Sequence, residues 1–214
     1  MRTLTPLDRL LSEIDQSLRT VHAAPPTTER SYPAQHIQEP EPLSDAERQL
    51  SGRLMRINHA GEVSAQGLYR GQALTAKLPD IRTQMEQAAM EENDHLDWCE
   101  RRLEELDTRK SLLNPLWYWG SFSIGAAAGL VGDRWSLGFV KETEDQVERH
   151  LDQHITRLPA NDLPSMAILQ KMKEDEIRHG QTAEQAGGRR LPWPLRKLVM
   201  PLVSKLMTAS AYRF

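Results

Sequence analysis

Glu92-Asn93-Asp94-His95 and Glu176-Ile177-Arg178-His179 are two copies of one motif, Glu-x-x-His. Each has a glutamate upstream in a helical run: Glu62 stands 30 residues before Glu92, and Glu144 stands 32 residues before Glu176. Positions i and i+3 share one face of a helix, so Glu92 can aim with His95, and Glu176 with His179. One such pair is an ordinary solvated face, and it offers too few donors for a redox metal. Two pairs, with one carboxylate from each of two further helices, put six side chains around two ions. That is the ligand set of a carboxylate-bridged di-metal site in a four-helix bundle. Carboxylate oxygen and imidazole suit Fe, Mn or Zn better than copper(I) or an iron–sulfur cluster.

The rest of the chain fits an all-α fold. Leu7, Leu10, Leu11, Ile14, Leu18 and Val21 recur at helical spacing and predict an amphipathic helix over 5–22. Five prolines between 24 and 43 make that stretch a linker or an extended strap. Ser44 is placed to cap a helix reaching about Lys77, ahead of Pro79. Further helices are expected at 80–108, at 116–157 with a break near Gly132, at 164–186 and at 194–210, and no strand pattern is visible. Gly187-Gly188 supplies C-cap chemistry. The expected organisation is an N-terminal helix and Pro-rich linker over 1–43, then the metal-binding domain over 44–214.

The 214 residues carry a net charge of −3, which gives no reason to expect nucleic acid as a partner. A single cysteine, Cys99, excludes an internal disulfide framework and a Cys-based metal site, and it reads as a buried, inert thiol. Asp8, Glu13 and Asp15 interrupt any signal-peptide core, so retention in the cytoplasm is expected. Residues 111–132 carry no charge, yet Asn114, Pro115, three serines and four glycines dilute them as a membrane span. They read either as a buried bundle helix, close-packed through Gly125-x-x-x-Gly129, or as an apolar surface around the mouth of the site. Trp117, Tyr118 and Trp119 would suit a membrane interface. From 185 to 214 there are six basic residues and no acidic one, beside a stripe of Leu195, Leu198, Val199, Leu202, Val203, Leu206 and Met207. A basic amphipathic helix lies flat on an anionic membrane. Mean hydropathy is −0.59, so any attachment is peripheral.

Four stretches carry a family resemblance: Arg56-Ile57-Asn58-His59-Ala60-Gly61-Glu62-Val63-Ser64-Ala65, Glu91-Glu92-Asn93-Asp94-His95-Leu96, residues 140–150 around Glu144, and Asp175-Glu176-Ile177-Arg178-His179-Gly180. Over about 44–214 the chain closely resembles the demethoxyubiquinone hydroxylases of ubiquinone biosynthesis. The resemblance implies a ferritin-like bundle and a di-iron monooxygenase. With O2 as co-substrate and an external reductant such as NADH, it would hydroxylate the ring of 2-polyprenyl-3-methyl-6-methoxy-1,4-benzoquinone or its quinol. The family's catalytic and iron ligands fall on Glu62, Glu92, His95, Glu144, Glu176 and His179, the six that spacing selects. Expected partners are the prenylated benzoquinone and the cytoplasmic face of the inner membrane, with self-association or other ubiquinone-biosynthesis proteins. Leu151 follows His150 where many relatives carry a tyrosine, leaving His150 and Tyr212 as candidates for proton delivery. Asp175 or Asp145 is placed to orient a ligand histidine. His59 is either structural or local to the site. His150 and His154 form an i, i+4 pair without a visible third zinc ligand. Two other readings use the same residues: a ferroxidase, which needs no quinone pocket, and a non-catalytic membrane scaffold, which would tolerate loss of Glu92 or Glu176.

Overall fold

The computed structural model describes residues 5–23, 25–28 and 30–214, and those residues contain helices and no strand. The elements are α1 (Pro6–His22), α2 (Asp45–Thr75), α3 (Pro79–Glu105), α4 (Asn114–Val131), α5 (Asp133–Arg157), α6 (Leu163–Gln185) and α7 (Met200–Ala211). A π-helical turn at Leu195–Val199 leads into α7. The Leu7 and Leu10 side chains of the expected N-terminal stripe lie outside the described residues.

Local chemistry sets the boundaries. Ser44 and Glu47 form a reciprocal capping box at the start of α2. Proline opens α3, and Asp133 accepts hydrogen bonds from the Lys77 and Leu78 amides in the turn before it, at 3.0 and 2.9 Å. The long helix expected over 116–157 is two helices. Gly132 joins them at φ 144°, a conformation that L side chains rarely adopt, and a new helix starts at Asp133.

Helix α2 packs on α3, and α5 packs on α6, so each Glu and its partner Glu-x-x-His sit on one helical pair. Helix α4 is the crossover between pairs and lies along α2. Their backbones approach closely through Gly67 and Gly71 on α2 and Gly125 and Gly129 on α4. A Cβ added at Gly67 would stand 2.2 Å from the Tyr118 carbonyl oxygen, and one at Gly125 would stand 2.1 Å from that of Leu68. The segment is therefore a packed bundle helix on one face and an exposed apolar surface on the other. Tyr118, Gly125 and Gly129 are buried, while Leu116, Ile124, Leu130 and Val131 are exposed.

Two large apolar layers make up most of the core, with smaller clusters beside them. One apolar layer contains Leu54, Met55, Trp98, Leu103, Leu151, Ile168 and Met172. The other contains Tyr69, Ala73, Ile81, Met85, Leu137, Val140 and Ala183. On all four bundle helices the acidic and histidine positions fall between these layers. The proline-rich stretch is a strap: Ala34 and Leu43 are buried in the first layer, and Glu39 bonds the buried Arg102 at 2.7 Å.

Candidate metal centre

Helix α2 delivers Glu62, α3 Glu92 and His95, α5 Glu144, and α6 Glu176 and His179; all six are buried. Atoms of Glu62, Glu92, His95 and Glu176 lie within 4.8 Å of one another, close enough to share an ion. His179 joins from the opposite side: its Nδ1 is 3.2 Å from Glu92 and 3.4 Å from Glu176. Glu92 and Glu176 thus stand between the two imidazoles, whose ring centres are 6.4 Å apart. Glu144 lies against Gly180, where an added Cβ would be 3.4 Å from its own, and it accepts a hydrogen bond from the Tyr69 hydroxyl.

Both imidazoles present Nδ1 inward and Nε2 outward. His95 Nδ1 is 2.9 Å from Glu92, 3.2 Å from Glu176 and 3.6 Å from Glu62. Its Nε2 is held by Asp175 at 3.1 Å. Nε2 of His179 is held by Glu91 at 2.8 Å. The acid immediately before each central glutamate therefore orients the histidine of the other motif, and it fixes the tautomer that leaves Nδ1 free to ligate. Arg178 ties the two orienting acids together, at 2.8 Å from Glu91 and 3.0 Å from Asp175.

The electrostatics is that of a cation site. Burial, and then the Glu92 charge, push Glu62 well above the usual carboxylate range; burial and the Glu176 charge do the same to Glu144. Burial also acts against ionisation of Glu92, but the neighbouring His95 charge and the close approach of both imidazoles hold it well below that range. For His179, burial disfavours the charged form, yet the carboxylates of Glu176, Glu91 and Glu92 close around its ring raise it to about 12. Glu92 Oε1, both Glu176 oxygens and His179 Nδ1 are buried without a hydrogen bond. Such groups are costly unless something else satisfies them. A pair of divalent cations fits this donor set, and the hard oxygen and imidazole donors suit iron.

Other sequence candidates fall elsewhere. Asp175 orients His95, whereas Asp145 pairs with Lys141. Tyr212 is not at the centre: it stacks on Arg53 and packs beside Ile57 and Ala60, and the phenol touching Glu144 is that of Tyr69. Tyr69 is seven residues after Glu62, two turns along the same face, a signal that was present in the spacing. His59 is structural: buried at the α2–α4 contact, it accepts from Asn114 Nδ2 at 3.3 Å. His154 turns to Asn58 at 2.8 Å, and no third metal ligand accompanies it and His150 among the described residues. Cys99 is buried against Met172, and burial keeps its thiol protonated. Leu151 is core.

A groove of about 290 Å³ runs between α4 and the C-terminal segment. Trp117 and Ile124 form one wall and Val199, Val203 and Met207 the other. Gly61 and Thr143, the neighbours in sequence of Glu62 and Glu144, lie on its floor, as does His150.

The sequence profile described as "Ubiquinone biosynthesis protein COQ7" matches residues 49–211. The 3-demethoxyubiquinol 3-hydroxylase of Nitrosococcus oceani is 56% identical over 211 residues, covering 99% of this chain and 98% of the relative. The protein of the same name from Acinetobacter baylyi is 54% identical, covering 99% of each chain. That of Ralstonia pickettii is 52% identical, covering 97% of this chain and 99% of its own. With its paired motifs inside the matched segment, the chain belongs to the COQ7 family of ubiquinone biosynthesis proteins.

Proposed function

We propose that Glu62, Glu92, His95, Glu144, Glu176 and His179 hold two iron ions in a ferritin-like bundle formed by residues 44–214. The chain is a monooxygenase of ubiquinone biosynthesis, acting on the ring of the demethoxyquinol as its relatives' shared name states. The observation that carries the ligand assignment is the convergence of unbonded, buried carboxylate oxygens and inward Nδ1 atoms between two apolar layers. When bound, the irons supply the O2 chemistry, in which one oxygen goes to the ring and the other leaves as water, with two electrons from an external reductant such as NADH.

The side chains supply the rest. Glu92 and Glu176, central between the imidazoles, would hold the ions together with Glu62 and Glu144, and Tyr69 steadies Glu144. The groove is the substrate path. Its apolar walls fit a prenyl chain, and its floor sets the ring beside Glu62 and Glu144 with little water around it. Exposed apolar side chains on α4 and α7 flank the groove, where they would rest on a membrane surface that supplies the quinol. Among the described residues no helix is long and apolar enough to cross a membrane.

The test is anaerobic loading with Fe(II), then O2 and the demethoxyquinol, followed by product mass. About two irons per chain and a product heavier by one oxygen are expected, and Glu176→Ala should lose turnover and weaken iron binding. Iron that oxidises while the quinol stays intact would turn the reading to a ferroxidase.

A further inference from the structure

The N-terminal strap lies before residue 49, where the family profile begins, yet it reaches the metal centre. Thr28 donates to Asp94 twice, from its amide and its hydroxyl, each at 2.7 Å. Arg30 donates Nε to the same Asp94 carboxylate, Nη1 to Asp175 Oδ2 at 2.6 Å, and Nη2 to the Glu91 carbonyl oxygen at 3.0 Å. Its guanidinium also lies 4.9 Å from the centre of the Trp98 ring. One planar group therefore spans α3 and α6 at the level of the ligands, with two nearly fully buried carboxylates on it.

Asp175 Oδ2 is the shared atom. It takes Arg30 Nη1 and faces His95 Nε2 at 3.1 Å. The other oxygen, Oδ1, is turned outward to Arg178 and Lys171. Without Arg30, those two cations would compete to draw the carboxylate out of the bundle, and His95 would lose the acceptor that fixes its ring. A guanidinium suits this task because its fork bridges two carboxylates in fixed geometry, which a lysine ammonium cannot reproduce.

We infer that Arg30 is a positioning residue for the metal centre: through Asp175 it locks the orientation of His95, which makes the strap a clamp on one of the two metal positions. The inference rests on the six-ligand reading above.

The experiment compares the full-length protein with Arg30→Met, Arg30→Lys and Glu39→Gln, the last loosening the strap at Arg102, away from Asp175. Each is loaded with Co(II) and, separately, with Fe(II) under argon. Visible Co(II) bands, the rate of metal release to a chelator and the urea midpoint are recorded. Residues that orient metal ligands typically change affinity by about 10–100-fold when replaced. Arg30→Met should therefore release one of its two ions about 10–100-fold faster, with altered Co(II) bands, and Arg30→Lys should fall between it and the wild type. Glu39→Gln should lower the urea midpoint and leave release unchanged. Wild-type release and bands in Arg30→Met would overturn the inference. So would equal acceleration by Glu39→Gln, since any loosening of the strap would then suffice. If Arg30→Met does not fold, Arg30→Lys decides by the same criterion. Wild-type protein that binds fewer than two ions would instead strike the ligand reading itself.

Discussion

Gly61 shows how much one missing side chain decides. It is the helical neighbour of Glu62 on the groove floor, and a Cβ built there meets nothing within 4 Å. A side chain at this position costs the fold little, and replacing a helical glycine gains about 0.5–1 kcal/mol. It would, however, project into the space assigned to the quinol. Gly61→Leu should keep full iron content and an equal or higher Tm while raising KM for the prenylated quinol about tenfold or more. An unchanged KM would move the substrate path elsewhere. Two histidines outside the centre make a separate, pH-dependent prediction. Burial lowers His59 to about 3 and His154 to about 4, each with nearby positive charge adding to the effect. Both are neutral in the folded state near pH 7, with His59 bonded to Asn114 and His154 to Asn58. Unfolded histidine titrates near 6.5, so below that value the unfolded chain binds more protons than the folded one. Stability from this source is complete above about pH 6.5 and falls as the pH drops towards 4, by at most about 1.4 kcal/mol per unit and per histidine. Urea midpoints at pH 7.5 and 5.0 test this. His154→Gln should be less stable at the higher pH and lose less on acidification than the wild type.

Among the elements, the α2–α4 contact leaves least room for change. Its carbonyl groups occupy the space of absent Cβ atoms at Gly67, Gly71 and Gly125. Backbone cannot step aside as a flexible side-chain tip can, so Gly67→Ala or Gly125→Ala should destabilise by about 3 kcal/mol, at the upper end of overpacking costs. Gly120 lies on the same α4, but nothing stands within 4 Å of its Cβ position. Gly120→Ala should be neutral or stabilising, and thermal melts of the three variants would separate close packing from helix propensity. Gly125-x-x-x-Gly129 announced this contact in the sequence, although its partner surface on α2 was not singled out. Legibility divides along the same line throughout. Helix positions were readable within a few residues because caps, prolines and glycines act locally. The six ligand candidates were readable because same-face spacing is periodic. The break near Gly132 was legible as well, since glycine is a local stop, and its φ of 144° is the physical reason for it. The Arg30–Asp175 bond joins residues 145 apart through a proline-rich stretch, where no period exists to reveal it.

At the scale of the whole molecule, charge and apolar surface are segregated. The chain is net acidic, yet its last 30 residues carry only basic charges. Arg190, Lys197, Lys205 and Arg213 are exposed there. The apolar stripe of this segment turns outward: Leu198 is 56% exposed, Leu202 69% and Leu206 64%. Leu116, Leu130 and Val131 on α4 add to the apolar surface, and the two elements form the walls of the groove. A helix whose own stripe faces solvent is unfavourable in water and favourable at a lipid boundary. Burying a leucine is worth about 1.5–3 kcal/mol, and a basic residue near an anionic surface adds about 1 kcal/mol. Docking by this face would set the groove mouth on the bilayer, so that the prenyl chain passes from lipid to protein without crossing water. Combining Leu202→Gln with Leu206→Gln should remove at least about 3 kcal/mol of that attraction, a fall of about 100-fold in vesicle binding. Iron content and the urea midpoint should stay near wild type, because neither side chain packs in the core. Flotation with neutral and anionic vesicles at low and high salt measures both contributions. The wild type should bind anionic vesicles more tightly, and salt should weaken that preference while sparing the apolar part. Unaltered flotation of the double variant would mean that the protein meets its lipid-soluble substrate through another face.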